Sequence, residues 1–457
     1  MLKAFINVFK VKELRDRVLF TAGIIVLVRI AAAIPCPGVN PEALQQYLAQ
    51  LSAASDASGT VMSFFSMFSG GALEKFAIGT LGIMPYITAS IIMQLLVPVV
   101  PSLEKIQREG ESGRAKINQY TRYLTIAVCL FQGMAAVLTM VDPTRVGLPS
   151  PGIDALFIGS EKSFIFVNVI VLVAVTMVIM WLGEQITERG IGNGASIIIT
   201  INIIARMPDA IIQLIQSVFD KSETSLNLVK VLLLVVIFLA VTAATVMLTL
   251  GYRRIPIQIA RKTVGGQLQG GSTYLPLKVN FANVMPIIFA GALMIVPSVL
   301  FGWCAQRFEW SGWTALASAF NYGQAGYLIL YALLIIGFSF FWVSTQFNPI
   351  QISENLKREG AYIPGIRPGE PTADFLDTSM TRVTFGGAIF LTGLAIFPML
   401  LGQIFNVPPL IDQFFGGTSL LIMVGVTLDT MRQMESHLTM RNYDGFLKSG
   451  RLQGRSR

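Results

Sequence analysis

Ten stretches of this sequence run for 15 to 23 residues with hardly a charge among them: 18–34, 77–97, 123–141, 164–182, 193–207, 228–250, 282–302, 326–346, 383–402 and 417–431. A helix needs about 20 mainly apolar residues to cross about 30 Å of hydrocarbon. The ten stretches therefore predict ten membrane-spanning helices, of which the fifth and tenth are short and carry glycine or polar residues. Composition closes off the other fold classes. Apolar residues make up 53% of the chain, charged residues 13%, and the mean hydropathy is +0.64. Soluble proteins are about 25% charged, so an ordinary soluble enzyme is excluded, and a disordered chain would leave this apolar surface in water. The expected fold class is an all-α polytopic membrane protein.

The first stretch follows a basic segment (Lys3, Lys10, Lys12, Arg15, Arg17) and ends in Ala31-Ala32-Ala33, which has the look of a cleavable signal. Its length, the Arg29 inside it, Pro35 and Pro37 behind it and nine further spans favour a retained helix. Orientation follows from the basic residues, which favour the cytoplasmic side. If both ends share one side, that side holds 26 basic against 15 acidic residues, a net of +11, and the other holds 8 against 11, a net of −3. Both termini are thus expected in the cytoplasm. Five spans lie on each side of residue 220, so the halves 1–220 and 221–431 have opposite topology, and 432–457 forms a cytoplasmic tail. Inverted repeats of this kind often form carriers or pores.

Cys36, Cys129 and Cys304 are far apart in apolar surroundings, which fits buried thiols and neither a disulfide framework nor a metal site. His437, the only histidine, lies in the polar tail, where a solvated residue is expected over a proton shuttle. The spans also lack the acids and histidines with which ion-coupled carriers work. Arg29 and Asp429 lie near span ends, and Glu184 and Glu188 at the interface. No serine–base or paired-acid arrangement suits intramembrane hydrolysis, and no Walker-type loop is present. Gly190-Ile191-Gly192-Asn193-Gly194 superficially suggests a phosphate cradle, yet it follows a membrane helix where such a cradle needs a strand. No cofactor or metal is expected. A passive conduit or a scaffold remains, with a secondary transporter as runner-up and a membrane-embedded enzyme third.

Two segments at membrane depth are irregular. In 59–71 an apolar core of about nine residues is too short to span, and a half-helix re-entering a protein-lined cavity and an interfacial surface helix fit it equally well. The second span opens with Gly79, Gly82 and Pro85, whose broken helical regularity requires protein or water alongside.

These residues are specific enough to suggest a family. Met67-Phe68-Ser69-Gly70-Gly71-Ala72-Leu73 and Gly82-Ile83-Met84-Pro85-Tyr86-Ile87 resemble the plug and second helix of the SecY/Sec61α family of protein-translocation channels. Glu109–Arg114, Trp181–Gly194, Leu275–Asn280, Ile363–Gly369 and Phe415–Ile422 match further family motifs in order, so the resemblance covers essentially the whole chain. It implies two inverted five-helix halves hinged around an hourglass pore with a re-entrant plug. The pore ring would be Ile83, Ile87, Ile199, Ile288 and Ile422, with Ala195 at a sixth position where the family usually carries a bulky aliphatic. The plug would cover about 61–69, with Val61, Met62, Phe64, Phe65, Met67 and Phe68 as its apolar residues. In the family a lateral gate releases hydrophobic signal sequences and membrane anchors into lipid; Thr88 and Gln132 are the polar candidates there, with ordinary interhelical bonding a nearly equal reading.

The expected cytoplasmic loop 251–281 carries Arg253, Arg254, Arg261, Lys262 and Lys278 and no acid. By charge alone it binds anionic lipid or enforces topology. The resemblance implies docking of the ribosome or the SecA motor by this loop and by 347–382, where Arg367 stands in a Pro/Gly turn. Expected partners are thus SecE, SecG, SecA, the ribosome, unfolded preproteins with their signal sequences, and membrane lipids. The expected location is the bacterial inner membrane.

Overall fold

The structure, a computed structural model, describes residues 11–44, 46–47, 69–142, 156–219, 228–259, 262–264, 267–269, 272–307, 311–320, 323–405, 411 and 417–449. A helix underlies each of the ten apolar stretches. The chain divides into two compact units, one within 1–209 and 422–457, the other within 210–421.

The first unit begins with α1 (Lys12–Ala33), then α2 (Met84–Val99), α3 (Pro101–Arg108), α4 (Glu111–Val141), α5 (Glu161–Arg189) and α6 (Gly194–Ala205). Helices α2, α4, α5 and α6 pack in sequence order, and α1 lies on α5 and α6. The second span enters late: residues 77–83 form turns and bridges, and the helix starts at Met84 with Pro85 in its first turn, where a missing N–H costs nothing. Its other end bends by 101° into α3, at the break before Pro101. A core of Cys36, Val39, Leu44, Phe76, Val137, Met140, Phe164, Val169 and Leu172 closes one end of the unit. There the Asn168 amide donates to the carbonyls of Pro37 (3.1 Å) and Phe164 (2.9 Å).

Then come α7 (Met207–Phe219), α8 (Leu228–Leu250), the strands β1 (Tyr252–Ile259), β2 (Lys262–Val264), β3 (Gln267–Gln269) and β4 (Ser272–Lys278), and α9 (Met285–Arg307). They are followed by α10 (Ser311–Ala319), α11 (Ala325–Gln346), α12 (Pro349–Arg358), β5 (Ala361–Tyr362), α13 (Glu370–Phe405) and α14 (Gly417–Ser449). In the second unit α9 packs on α11, α11 on α13, and α13 on α8 and α12. The residues of α14 from Ile422 onward belong to the first unit. The segment read as a basic loop is a sheet of order β4-β1-β5, antiparallel throughout, with Ile255 opposite Leu275 and Gln258 opposite both Ser272 and Tyr362. Its inward face joins Ile255, Ile257, Leu277, Val343, Phe347, Ala361, Ile363, Leu376 and Met380 in one core.

Among the described residues, six helices are long and apolar enough to cross a membrane, or seven if the bent α2–α3 pair is one span. The helix surfaces suit lipid. On α8 the outward residues are Val229, Leu232, Val236, Leu239 and Met247, while Thr245 and Thr249 are buried and donate to carbonyls four residues back. Phe131 on α4 and Phe166 on α5 are likewise exposed. An apolar surface this extensive is untenable in water.

Candidate channel site

Four ring candidates, Ile83, Ile199, Ile288 and Ile422, are buried, and Ile87 and Ala195 are partly buried. Ile83 caps the N-terminus of α2, Ala195 and Ile199 lie on α6, and Ile422 on α14, all in the first unit; Ile288 lies on α9 in the second. A glycine brings two of the first-unit members, Ile83 and Ala195, to the same point of α5. A Cβ at Gly183 of α5 would sit 3.4 Å from the Cδ1 atoms of both Ile83 and Ile198 and 3.8 Å from the Ala195 nitrogen. At Gly194 a Cβ would collide with the Gly183 carbonyl. The first turn of α6 therefore rests directly on the α5 backbone.

The glycine-rich turn between α5 and α6 has its own use for its backbone groups. The N–H of Ile191 donates to Thr21 Oγ1 (3.3 Å), that of Gly192 to Gln433 Oε1 (2.8 Å) and that of Gly194 to Thr187 Oγ1 (2.9 Å). The Asn193 side chain caps α6 by accepting from Ser196 N–H (3.2 Å). A phosphate cradle needs these N–H groups unspent, so here the turn is a junction of α1, α5, α6 and α14. Ile191 also packs with Leu14, Met434 and Leu438. Thr187 falls within the Trp181–Gly194 motif, whereas Thr21 and Gln433 were invisible in the sequence because each is an ordinary polar residue within a helix whose partner lies far along the chain.

The plug candidates Val61, Met62, Phe64, Phe65, Met67 and Phe68 lie outside the described residues. The chain is described again from Ser69, in a turn that runs through Gly70 (φ 66°) and Gly71 (φ 83°) to Phe76. Both glycines adopt a left-handed conformation that other residues rarely take. Arg29 Nη1 and Nη2 each donate to the Gly70 carbonyl at 3.2 Å, and Nη1 also reaches Asn202 Oδ1 (3.4 Å). Arg206 pairs through both terminal nitrogens with the Glu74 carboxylate, and Nη1 also reaches Asp209 Oδ2 (3.1 Å). Arg29 is thus engaged by the fold at its end of the first span.

The gate candidates are not joined by a hydrogen bond. Thr88 Oγ1 donates to the Met84 carbonyl of its own helix (3.1 Å), and Gln132 is half-buried on α4. Nearby, Arg122 on α4 forms a two-pronged ion pair with Glu184 on α5, both contacts at 2.8 Å.

On the strand, Arg253 and Arg254 are both exposed, Arg254 on the face opposite Ile255 and Ile257; the Arg254 guanidinium lies 5.1 Å from the Tyr252 ring centroid, and its Nη2 lies 2.8 Å from the Tyr252 hydroxyl. Lys262 lies on β2, and Arg261 lies outside the described residues. Arg367 is exposed and forms no salt bridge among the described residues. Its turn is fixed by main-chain carbonyls: Thr372 Oγ1 donates to the carbonyl of residue 367 (2.8 Å) and Ser353 Oγ to that of Gly369 (2.5 Å).

Lipid-facing helices with an apolar cluster at a glycine-mediated helix crossing and a small sheet beyond the spans define a polytopic helical membrane protein. Residues 77–431 match the SecY family model. The protein translocase subunit SecY of Haemophilus influenzae is 42% identical over 445 residues, covering 97% of this chain and 96% of that one. Two solved structures share the fold over 92% of both chains. One, described as the structure of a protein conducting channel, has 16% identity and a TM-score of 0.62. The other, with 17% identity and a TM-score of 0.58, is described by a SecY plug domain that stabilises the closed state of the translocation channel. The chain belongs to the SecY family.

Proposed function

We propose that this chain is the pore-forming subunit of a protein translocase, a passive conduit for unfolded preproteins. The observation that carries the reading is the 42% identity to a protein translocase subunit across 97% of the chain. In this reading ten spans form two inverted halves, 1–220 and 221–431, around the pore, with 432–457 as a cytoplasmic tail and both termini in the cytoplasm of an inner membrane.

The pore's waist is the ring Ile83, Ile87, Ala195, Ile199, Ile288 and Ile422. A narrow apolar constriction dewets and so resists ions, yet branched aliphatics yield to almost any peptide without holding it. Segment 61–69 plugs the pore, and signal sequences leave past Thr88 and Gln132 into lipid. The chain performs no chemistry of its own. Its driving force comes from SecA or the ribosome, docked on Arg253, Arg254, Arg261, Lys262 and Arg367, and SecE and SecG complete the membrane complex. The exposed cations Arg253 and Arg254 on a rigid sheet support this docking role, since they suit RNA phosphate or an acidic protein surface.

The test is reconstitution with SecE, SecG, SecA and ATP in vesicles, scored by protease-protected preprotein. Protection that requires both this chain and ATP is expected, and its absence would sink the reading. Replacing Ile83, Ile288 and Ile422 by Asn is expected to raise ion leak through the resting channel; an unchanged conductance would remove the ring assignment.

A further inference from the structure

Two arginines of the first unit converge on one short turn, Ser69–Phe76. Arg206, at the junction of α6 and α7, is the only charged residue in the buried class among the described residues. Its position suits a cation, since the C-terminus of α6 carries partial negative charge and Asp209 sits in the first turn of α7. Two carboxylates, Glu74 and Asp209, share its guanidinium. Arg29 has no carboxylate partner among the described residues and spends two nitrogens on the single carbonyl of Gly70. Asn202, on α6, is the second acceptor for Arg29. The glycines make this approach possible: a Cβ at Gly71 would lie 3.2 Å from Arg206 Nη1 and 3.3 Å from its Cδ, and one at Gly70 would collide with Arg29.

Apolar packing alone would also hold a turn against a membrane helix, at no desolvation cost. Ion pairs are directional where packing is not, and removing the partners of a buried cation leaves its charge uncompensated. Arg206 is the buried member of these pairs, while Glu74 and Asp209 are partly exposed, so the turn is tied through the side that faces the protein. It joins the segment assigned as the plug to the second span, which carries Ile83 and Ile87, and it is tied to α6, which carries Ala195 and Ile199.

We propose that Arg29 and Arg206 are positioning residues of the channel, which hold the Ser69–Phe76 turn against α6 and so set how well the resting pore seals and how strictly it requires a signal sequence. The proposal rests on the translocase reading.

The experiment reconstitutes Arg206→Glu, Glu74→Arg and the double exchange, each with SecE and SecG. It records resting ion conductance and the SecA-driven transport of a preprotein with a crippled signal. Membrane yield and melting temperature report folding separately. Each single exchange is expected to raise resting conductance and transport of the crippled preprotein several-fold, and the double exchange to bring both back towards the unaltered chain. Unchanged conductance in the single variants would overturn the proposal, as would a double exchange as leaky as its parents. Should Arg206→Glu fail to accumulate, Glu74→Gln, at a half-exposed carboxylate, is read by the same two measurements. Failure of the unaltered chain to move an intact preprotein would instead count against the translocase reading.

Discussion

Gly194 and Gly183 are both glycines at one helix crossing, yet they bear unequal loads. A Cβ at Gly194 meets backbone, the Gly183 carbonyl, which cannot swing away; a Cβ at Gly183 meets the ends of two isoleucine side chains at 3.4 Å, an ordinary contact. Gly194→Ala is therefore expected to destabilise the chain by about 1–3 kcal/mol, the usual range for overpacking, and Gly183→Ala by clearly less. Thermal unfolding in detergent compares the two, and equal losses would contradict the assignment of the clash to backbone. Cys36 gives a second residue-scale expectation. It lies beyond the end of α1, buried in the core with Phe76 and Phe164, and burial pushes its thiol up to about 12. The raised value means the thiol stays protonated at neutral and mildly alkaline pH, and only the thiolate reacts. Alkylation of Cys36 near pH 8 is expected only after unfolding; labelling of the native chain at the rate of a free thiol would contradict its burial.

At the scale of elements, the sheet β4-β1-β5 shares its core with the last turns of α11 and the first turns of α13, so a defect in that core is felt there and not along the apolar lengths of the spans. Ile257→Ala is expected to cost about 2–5 kcal/mol, the range for large-to-small core changes. Hydrogen exchange should show protection lost along 252–259 and 272–278 and kept along the apolar lengths of α11 and α13 away from that core. Loss spread evenly over the helices would show that the defect is not confined there. The alternation of buried Ile255 and Ile257 with exposed Arg254, Pro256 and Gln258 was present in the sequence, but a run of cations and glycines read more simply as a loop. The β1–β5 pairing was not legible at all, because Gln258 and Tyr362 are joined by register across a hundred residues and leave no local pattern. The apolar stretches themselves were legible, since span length is set by the bilayer and needs no partner. Their ends were less so: the second stretch was read from residue 77, whereas its helix begins only at Met84, with Pro85 in the first turn where a proline is tolerated.

For the whole molecule, charge supplied an expected orientation but misdirected attention within the membrane. The count of +11 against −3 marked one side as cytoplasmic, and the scarcity of charge elsewhere suggested spans without polar chemistry. Arg206, Glu74 and Asp209 meet one another and Arg29 meets the Gly70 carbonyl, which a linear count cannot reveal because pairing depends on tertiary placement. The ring candidates have the opposite problem: buried isoleucines in helices are normally plain packing, and only the family motifs single them out. Arg367 offers the cleanest test at this scale, because its turn is fixed through the carbonyls of residues 367 and 369 and does not use the guanidinium. Reversing its charge therefore leaves the local fold intact and alters only what the turn presents to a partner. Arg367→Glu is expected to lower SecA-driven preprotein transport at least tenfold, corresponding to about 1.4 kcal/mol or more of lost coupling, with membrane yield and melting temperature unchanged. A neutral Arg367→Gln should fall between the two, since it removes attraction without adding repulsion to an acidic partner surface. If transport by Arg367→Glu equals that of the unaltered chain, this arginine solubilises the turn and the docking contact lies elsewhere on the cytoplasmic face.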